Sequence, residues 1–225
     1  MLFRSMNQYR NVTLCADIMF INKIPFIVTI SRHIHFGTVE MIANRRMETI
    51  FKSLTQVINI YKQRGFDVTH ILLDGEFEPL RGSLANINIQ LNTVANAEHV
   101  PEIERYIRTL KERTRCVYNS LPFPDMPPRL LIEMVKASNF WLNVFPYPNG
   151  ISDVLSPRTI VTGSTIDFNC HCTLAFGSYV QTHEEHDNTM TARTTGALAL
   201  RPTGNIQGGF YFYSLSTGRV INRNR

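Results

Sequence analysis

The sequence lacks several features that mark common protein classes. No segment approaches the roughly 18 uninterrupted apolar residues of a membrane-crossing helix, so nothing in it reads as a span. The opening stretch, MLFRSMNQYRN, has no long apolar run and does not read as a signal peptide. Cysteine is sparse, with 4 residues in the chain. Cys170 and Cys172 are separated only by His171, and no second ligand pair stands at zinc-site spacing. The simplest expectation is a reduced compartment without structural disulfides. Cys15 and Cys116 sit in apolar surroundings and read as buried thiols. The single tryptophan, Trp141, reads as core and not as a base-stacking platform. Internal repeats and low-complexity tracts are absent. Charge is scarce too, at 18% of residues, but it leans one way: the net charge is +5. With a pI near 9.2 this favours an acidic partner such as nucleic acid.

What is present is an ordered run of elements. The length of 225 residues suits one or two domains. Asn11 to Ile21, Pro25 to Ser31 and His35 to Met41 are apolar, β-branched stretches joined by short turns, which predicts an antiparallel meander. Asn44 can cap a helix from Arg45 to Arg64, whose apolar positions fall at helical spacing until Gly65 stops it. Phe66 to Leu73 is a strand that follows a helix, so a parallel crossover is expected. Leu80 to Ala85 reads as a short helix, Ile87 to Asn92 as a fifth strand, and Val94 to His99 as a polar loop. Pro101 to Ser120 is a long helix with proline in its first turn. Ile103, Ile107, Leu110 and Val117 form its apolar stripe, and Glu104, Arg108, Lys111 and Arg115 repeat the spacing one residue on. A proline-rich connector and a helix from Arg129 to Phe145 follow. The expected division is a catalytic core over 1–150, an irregular linker over 151–173 and a small β module over 174–225, where short strands alternate with glycine and suggest a β-barrel.

Three carboxylates carry the candidate chemistry. Asp17 is mid-strand, Asp74 ends a strand, and Glu104 is in the first turn of the long helix. An acid inside an apolar strand is costly to bury unless it is paired or binds a metal. If the first and fourth strands are neighbours, Asp17 and Asp74 lie side by side, and a divalent cation relieves their repulsion. Oxygen ligands suit Mg²⁺ or Mn²⁺, and a pair of such ions supports in-line phosphoryl transfer. Arg108, Lys111 and Arg115 would then follow a DNA backbone. Each acid also has a plainer role. Asp17 can pair with Lys23 or Arg32, Asp74 can be a turn residue before Gly75, and Glu104 can pair with Arg108. Glu102 lies on another helix face, while Glu76 and Glu78 could replace Asp74 in a remodelled loop. His183-Glu-Glu-His186 lacks the zinc-protease spacing and reads as an exposed acidic loop.

The sequence resembles the integrases of copia-type retrotransposons. Glu104-Arg105 with Arg108-Thr109-Leu110 is similar to that family's Glu-Arg-x-x-Arg-Thr-Leu motif. Asp74-Gly75-Glu76-Phe77 is similar to its second-Asp segment, Asp-Asn-Gly-Gly-Glu-Phe. Asp17 through Phe26-Ile-Val-Thr-Ile-Ser-Arg32 looks like its first-Asp strand pair. Leu155-Ser156-Pro157 with Thr162-Gly163 resembles the Ser/Thr-Pro…Thr-Gly segment after the core, and Tyr211 to Ile221 an SH3-like module downstream. The resemblance implies an α/β fold: a ribonuclease H-like mixed five-stranded sheet with flanking helices, followed by a small C-terminal SH3-like β-barrel. It implies Asp17, Asp74 and Glu104 as catalytic metal ligands of a two-metal Mg²⁺ or Mn²⁺ site. It also implies DNA as partner, a homo-oligomer when active, no membrane, and nuclear action after a cytoplasmic polyprotein stage. The chain departs from the family in two ways. Only 30 positions separate Asp74 from Glu104, a short spacer, and the family's upstream zinc-binding His/Cys module is missing. Three functions follow for comparison: a metal-dependent integrase, a silent nucleic-acid-binding remnant, and a ribonuclease H-type nuclease.

Overall fold

The structure is a computed structural model that describes residues 9–94, 100–148, 150–184, 188–190 and 192–223. Its first sheet has five strands in the order β3-β2-β1-β4-β5. They are β1 (Asn11–Ile21), β2 (Ile24–Ser31), β3 (Gly37–Met41), β4 (Asp67–Asp74) and β5 (Gln90–Val94). β1 is buried on both faces. Val12, Leu14 and Ala16 point into one apolar cluster, and Cys15 and Met19 into a second on the opposite side. Asn22 and Lys23 both have positive φ, 46° and 66°. That is the twist a two-residue hairpin turn needs to bring β2 back antiparallel.

Helix α1 (Met47–Gln63) buries Ile50, Leu54, Val57, Ile58 and Tyr61 against the first cluster and is followed by Gly65 at φ +83°. Each large side chain so buried is worth roughly 1.5–3 kcal/mol. The crossover through α1 delivers β4 parallel to β1, and β5 then pairs parallel to β4. A 3₁₀ turn (Gly75–Leu80) and α2 (Arg81–Ala85) link β4 to β5. Helices α3 (Pro101–Ser120) and α4 (Pro128–Leu142) cover the other face. The mixed five-stranded sheet with flanking helices is therefore present. α3 has the bounds read from sequence, but its buried stripe is Ile103, Tyr106, Leu110 and Thr114. Tyr106 and Thr114 carry polar tips that the apolar count overlooks.

α3 and α4 are clamped to the edge strand at one point. The Gly37 N–H donates to Asn143 Oδ1 at 2.8 Å, and Asn143 Nδ2 donates to the Gly37 carbonyl at 2.7 Å. Asn139 Nδ2 reaches the same carbonyl at 3.2 Å, and the Tyr106 hydroxyl donates to Asn139 Oδ1 at 2.8 Å. A Cβ on Gly37 would overlap the Tyr106 ring.

Three expectations are corrected. The stretch expected to be irregular contains α5 (Pro157–Thr162), capped by Ser156 and closed by Gly163 at φ +75°. Its Ile160 and Val161 join the first core cluster. Six residues are too few for a helical period to show, although the cap signals were there. Cys116 is exposed and not buried, because it falls outside the inward stripe of α3; only Cys15 is a buried thiol. After α6 (Phe168–His171), strands β6 (Tyr179–His183), β7 (Thr194–Pro202), β8 (Phe210–Ser214) and β9 (Val220–Arg223) form a four-stranded antiparallel sheet. Among the described residues its order is open, β6-β7-β8-β9, with no pair closing a barrel. Arg201 of β7 reaches Glu133 of α4 at 3.5 Å.

Gly37→Ala is expected to cost about 1–3 kcal/mol through overpacking. Tyr106→Phe should cost about 1 kcal/mol through the lost hydroxyl bond. Urea denaturation measures both, and a Gly37→Ala protein as stable as the parent would refute the clamp. In native protein, Cys116 and Cys172 should react fast with a thiol reagent. Cys15, whose thiol burial pushes up to about 11, should react only on unfolding.

Candidate active site

The last bonded pair of the β1–β4 ladder is Cys15 with Leu72. Two residues further along both strands stand Asp17 and Asp74, level with one another. They lie where the parallel strands part, which is where open α/β sheets leave a crevice at their carboxyl ends. Asp17 shares its side of β1 with Cys15 and Met19, the side that α3 covers. It is half-buried, and Asp74 is exposed at the strand end. Glu104 is exposed in the first turn of α3.

The Asp17 carboxyl is raised above the ordinary aspartate range. Burial is the largest cause. The Ile18 N–H, which donates to Asp17 Oδ1 at 2.6 Å, pulls the other way. The negative charges of Asp74, Glu76 and Glu104 then push it further up. The field at Asp17 thus registers the other two acids of the candidate triad, together with Glu76.

Cation partners separate the two aspartates from the neighbouring glutamates. Arg45 holds Glu76 by two hydrogen bonds of 2.8 and 2.6 Å. Glu78 is bound by Arg81 and by Thr93, and its carboxyl is lowered by those bonds. Arg32 pairs with Glu102 at 3.0 Å and so does not serve Asp17. Among the described residues neither Asp17 nor Asp74 has a cation partner. Asp74 also plays its plainer part: its Oδ1 accepts the Gly75 N–H at 2.6 Å and caps the 3₁₀ turn. The Arg45–Glu76 and Arg32–Glu102 pairings were out of reach of the sequence, since the partners lie far apart along the chain.

The donor set is all carboxylate oxygen, and its two aspartates are uncompensated, which fits a hard divalent cation. The side chains are not drawn together as ligands, however. Among the described residues no three His, Cys, Asp or Glu side chains are placed to hold an ion. Asp17 and Asp74 each turn one oxygen back to the following backbone N–H.

Arg108, Lys111 and Arg115 continue the Glu104 row along α3, and none has a carboxylate partner among the described residues. The loop where the spacer is short falls on residues 95–99, outside the described residues. Of His183-Glu-Glu-His186, Glu184 pairs with Arg223 at 2.9 Å, and residues 185–186 lie outside the described residues. Trp141 is half-buried beside a small cluster of Phe140, Val144 and Ile166. No described helix is long and apolar enough to cross a membrane.

No family model matches the chain. No curated protein matches it either. Among solved structures it is similar to the catalytic core domain of BIV integrase, at 15% identity and a TM-score of 0.48, over 67% of this chain and 93% of that one. It is also similar to the HTLV-2 integrase catalytic core domain in complex with magnesium, in a trimeric form. That likeness has 15% identity and a TM-score of 0.49, over 66% of this chain and 95% of the other. At this level of likeness only the chain's own residues bear on its chemistry.

The raised Asp17 carboxyl sets a pH dependence. Its stabilising share is full below the ordinary value near 3.9 and is lost as pH rises through the raised folded value. Asp17→Asn should therefore melt higher than the parent at pH 7, with the difference vanishing below about pH 4. Mn²⁺ should raise the parent's melting temperature more than that of Asp17→Asn. Equal responses across pH and metal would remove Asp17 from the site.

Proposed function

We propose that this chain is the core of an integrase-type polynucleotidyl transferase that joins DNA strands with the help of Mg²⁺ or Mn²⁺. The observation that carries this is the pair of uncompensated aspartates, Asp17 and Asp74, at the open end of two parallel strands with Glu104's helix against them. Asp17, Asp74 and Glu104 would hold the cations. A divalent pair there supplies activation of an attacking hydroxyl and stabilisation of the leaving oxygen.

The chain's own residues have separable tasks. The half-buried Asp17 and its acidic neighbours keep the site short of positive charge, so cation binding is favoured. Arg45 neutralises Glu76 and keeps it from competing as a ligand. Arg32 ties Glu102 to the end of β2 and fixes where α3 begins. Arg108, Lys111 and Arg115 hold phosphates of a strand leading away from Glu104. The motif resemblance supports the finer assignments: a copia-type element, an SH3-like module in the second sheet, a polyprotein origin, action in the nucleus and an oligomer that brings two DNA ends together.

A second reading has an observation of its own. Both aspartates turn an oxygen to the backbone and, among the described residues, no three acids are placed as ligands, which suits a silent nucleic-acid-binding remnant.

The deciding experiment is Mn²⁺-dependent joining of oligonucleotides by the parent and by Glu104→Gln. The variant should lose at least about 100-fold, because the outer partners of a metal ligand alone cost about 10–100-fold. DNA affinity should stay within about twofold, since Glu104 contacts no phosphate under this proposal. Joining that is equal in both proteins refutes the triad. DNA binding without metal-dependent turnover establishes the remnant, and preferential cleavage of RNA–DNA hybrids establishes a nuclease. Arg108→Gln should lower the salt dependence of binding by about 0.7–0.9 in log–log slope.

A further inference from the structure

One cavity lies outside the carboxylate site but on the same helix. It has a volume of ≈ 380 Å³ and opens between the tip of the β1–β2 hairpin, the C-terminal half of α3 and the start of α4. That is within the roughly 300–1,000 Å³ of typical ligand pockets. Ile21, Leu131 and Met134 give it apolar lining, Tyr118 adds an aromatic side chain, and Lys111 and Arg115 supply the charge. No acidic side chain lines it. Lys111 and Arg115 have no carboxylate partner among the described residues, so the cavity is positive and uncompensated. Tyr118 is 39% exposed. Its hydroxyl donates to the Pro124 carbonyl at 3.0 Å, which anchors the ring from the connector side.

Helical spacing sets this cavity in line with Glu104. Positions 104, 108, 111, 115 and 118 recur at three and four residues and form one strip. At 1.5 Å per residue, Lys111 is about 10 Å and Arg115 about 16 Å beyond Glu104 along the axis. A strand that leaves the carboxylates along this strip reaches the cavity within a few nucleotides.

We infer that the cavity takes the base of an unpaired nucleotide, flat against Tyr118, with the flanking phosphates on Lys111 and Arg115. The inference rests on the proposal that α3 binds a DNA strand, and it adds what that strand must look like. A base inside a duplex stack cannot enter a side pocket without being extruded. An unpaired base can enter, and an aromatic face accepts any of the four. The site therefore selects a frayed or single-stranded end a few nucleotides from the joining point, without reading its sequence. Phosphate contacts alone would bind a duplex and a single strand without this distinction.

The test compares two short single-stranded DNAs of the same length, one intact and one with an abasic sugar in place of the central base. The intact strand should bind about tenfold tighter, the share expected of one base stacked on an aromatic ring. Tyr118→Ala should abolish that difference, and Tyr118→Phe, which keeps the ring, should retain it. Glu104→Gln should leave the difference untouched. Should Tyr118→Ala fail to fold, 2-aminopurine at the central position of the strand decides in the parent protein. Quenched fluorescence supports the pocket, and unchanged fluorescence overturns it. Equal affinity for the intact and abasic strands overturns the pocket alone and leaves strand binding standing. No affinity for either strand overturns the pocket and the DNA assignment together.

Discussion

The placement of α3 depends on a contact in which almost no side chain is present. Gly37 leaves a gap on the edge strand that the Tyr106 ring fills, and two asparagines of α4 close around the Gly37 backbone. Tyr106 is two positions from Glu104, so whatever fixes Tyr106 fixes the acid. Three hydrogen bonds converge on the two backbone groups of one residue, and the Tyr106 hydroxyl bonds to one of the asparagines. A buried polar network of this kind is satisfied in one arrangement and costly in others. It sets the height of α3 along β1, and with it the level of Glu104 relative to Asp17. Arg32 and Glu102 add a second, more exposed tie at the helix start. Exposed ion pairs contribute little energy, so this tie serves direction more than stability.

The carboxylates around the strand ends sort by the company they keep. Glu76, Glu78 and Glu102 each have an arginine within bonding distance. Among the described residues, Asp17 and Asp74 have only backbone N–H donors. An N–H donor offsets part of the cost of a charge, but it does not neutralise it. The proposed cation site rests on this contrast between compensated peripheral acids and two central ones held by backbone donors. The row beyond Glu104 on α3 mirrors this pattern with the sign reversed: Arg108, Lys111 and Arg115 lack anions among the described residues.

Much of this was legible in the sequence. The five strands, the crossover and the bounds of the long helix follow from period, turn residues and proline placement, because those signals act over a few neighbours. The level pairing of Asp17 with Asp74 followed from one added assumption, that β1 and β4 are adjacent. Other features depended on distance and were out of reach. Arg45 meets Glu76 across 31 positions, and Asn143 meets Gly37 across 106. The burial of Tyr106 and Thr114 was missed because each has a polar tip with a local or tertiary partner. Cys116 was misplaced because apolar neighbours in sequence are not neighbours on a helix face. The helix at Pro157–Thr162 was hidden by its length.

The choice between Glu102 and Glu104 turns on the surroundings of the buried aspartate. Both stand in the first turn of α3, and both gain from the positive end of the helix dipole. The dipole does not separate them, although Glu102 lies on another face of the helix. Arg32 lies at the end of β2, beside Cys15, whose thiol senses both Arg32 and Glu102. That places Glu102 over the β1–β2 pair, tied to a guanidinium. Asp17 senses Glu104 but not Glu102 among the charges that raise it. Of the two glutamates, Glu104 is the one whose charge reaches the buried aspartate, while the Glu102 ion pair holds the helix end that carries it. Under the proposed function, a substitution at Arg32 would loosen the start of α3 without touching any of the three acids.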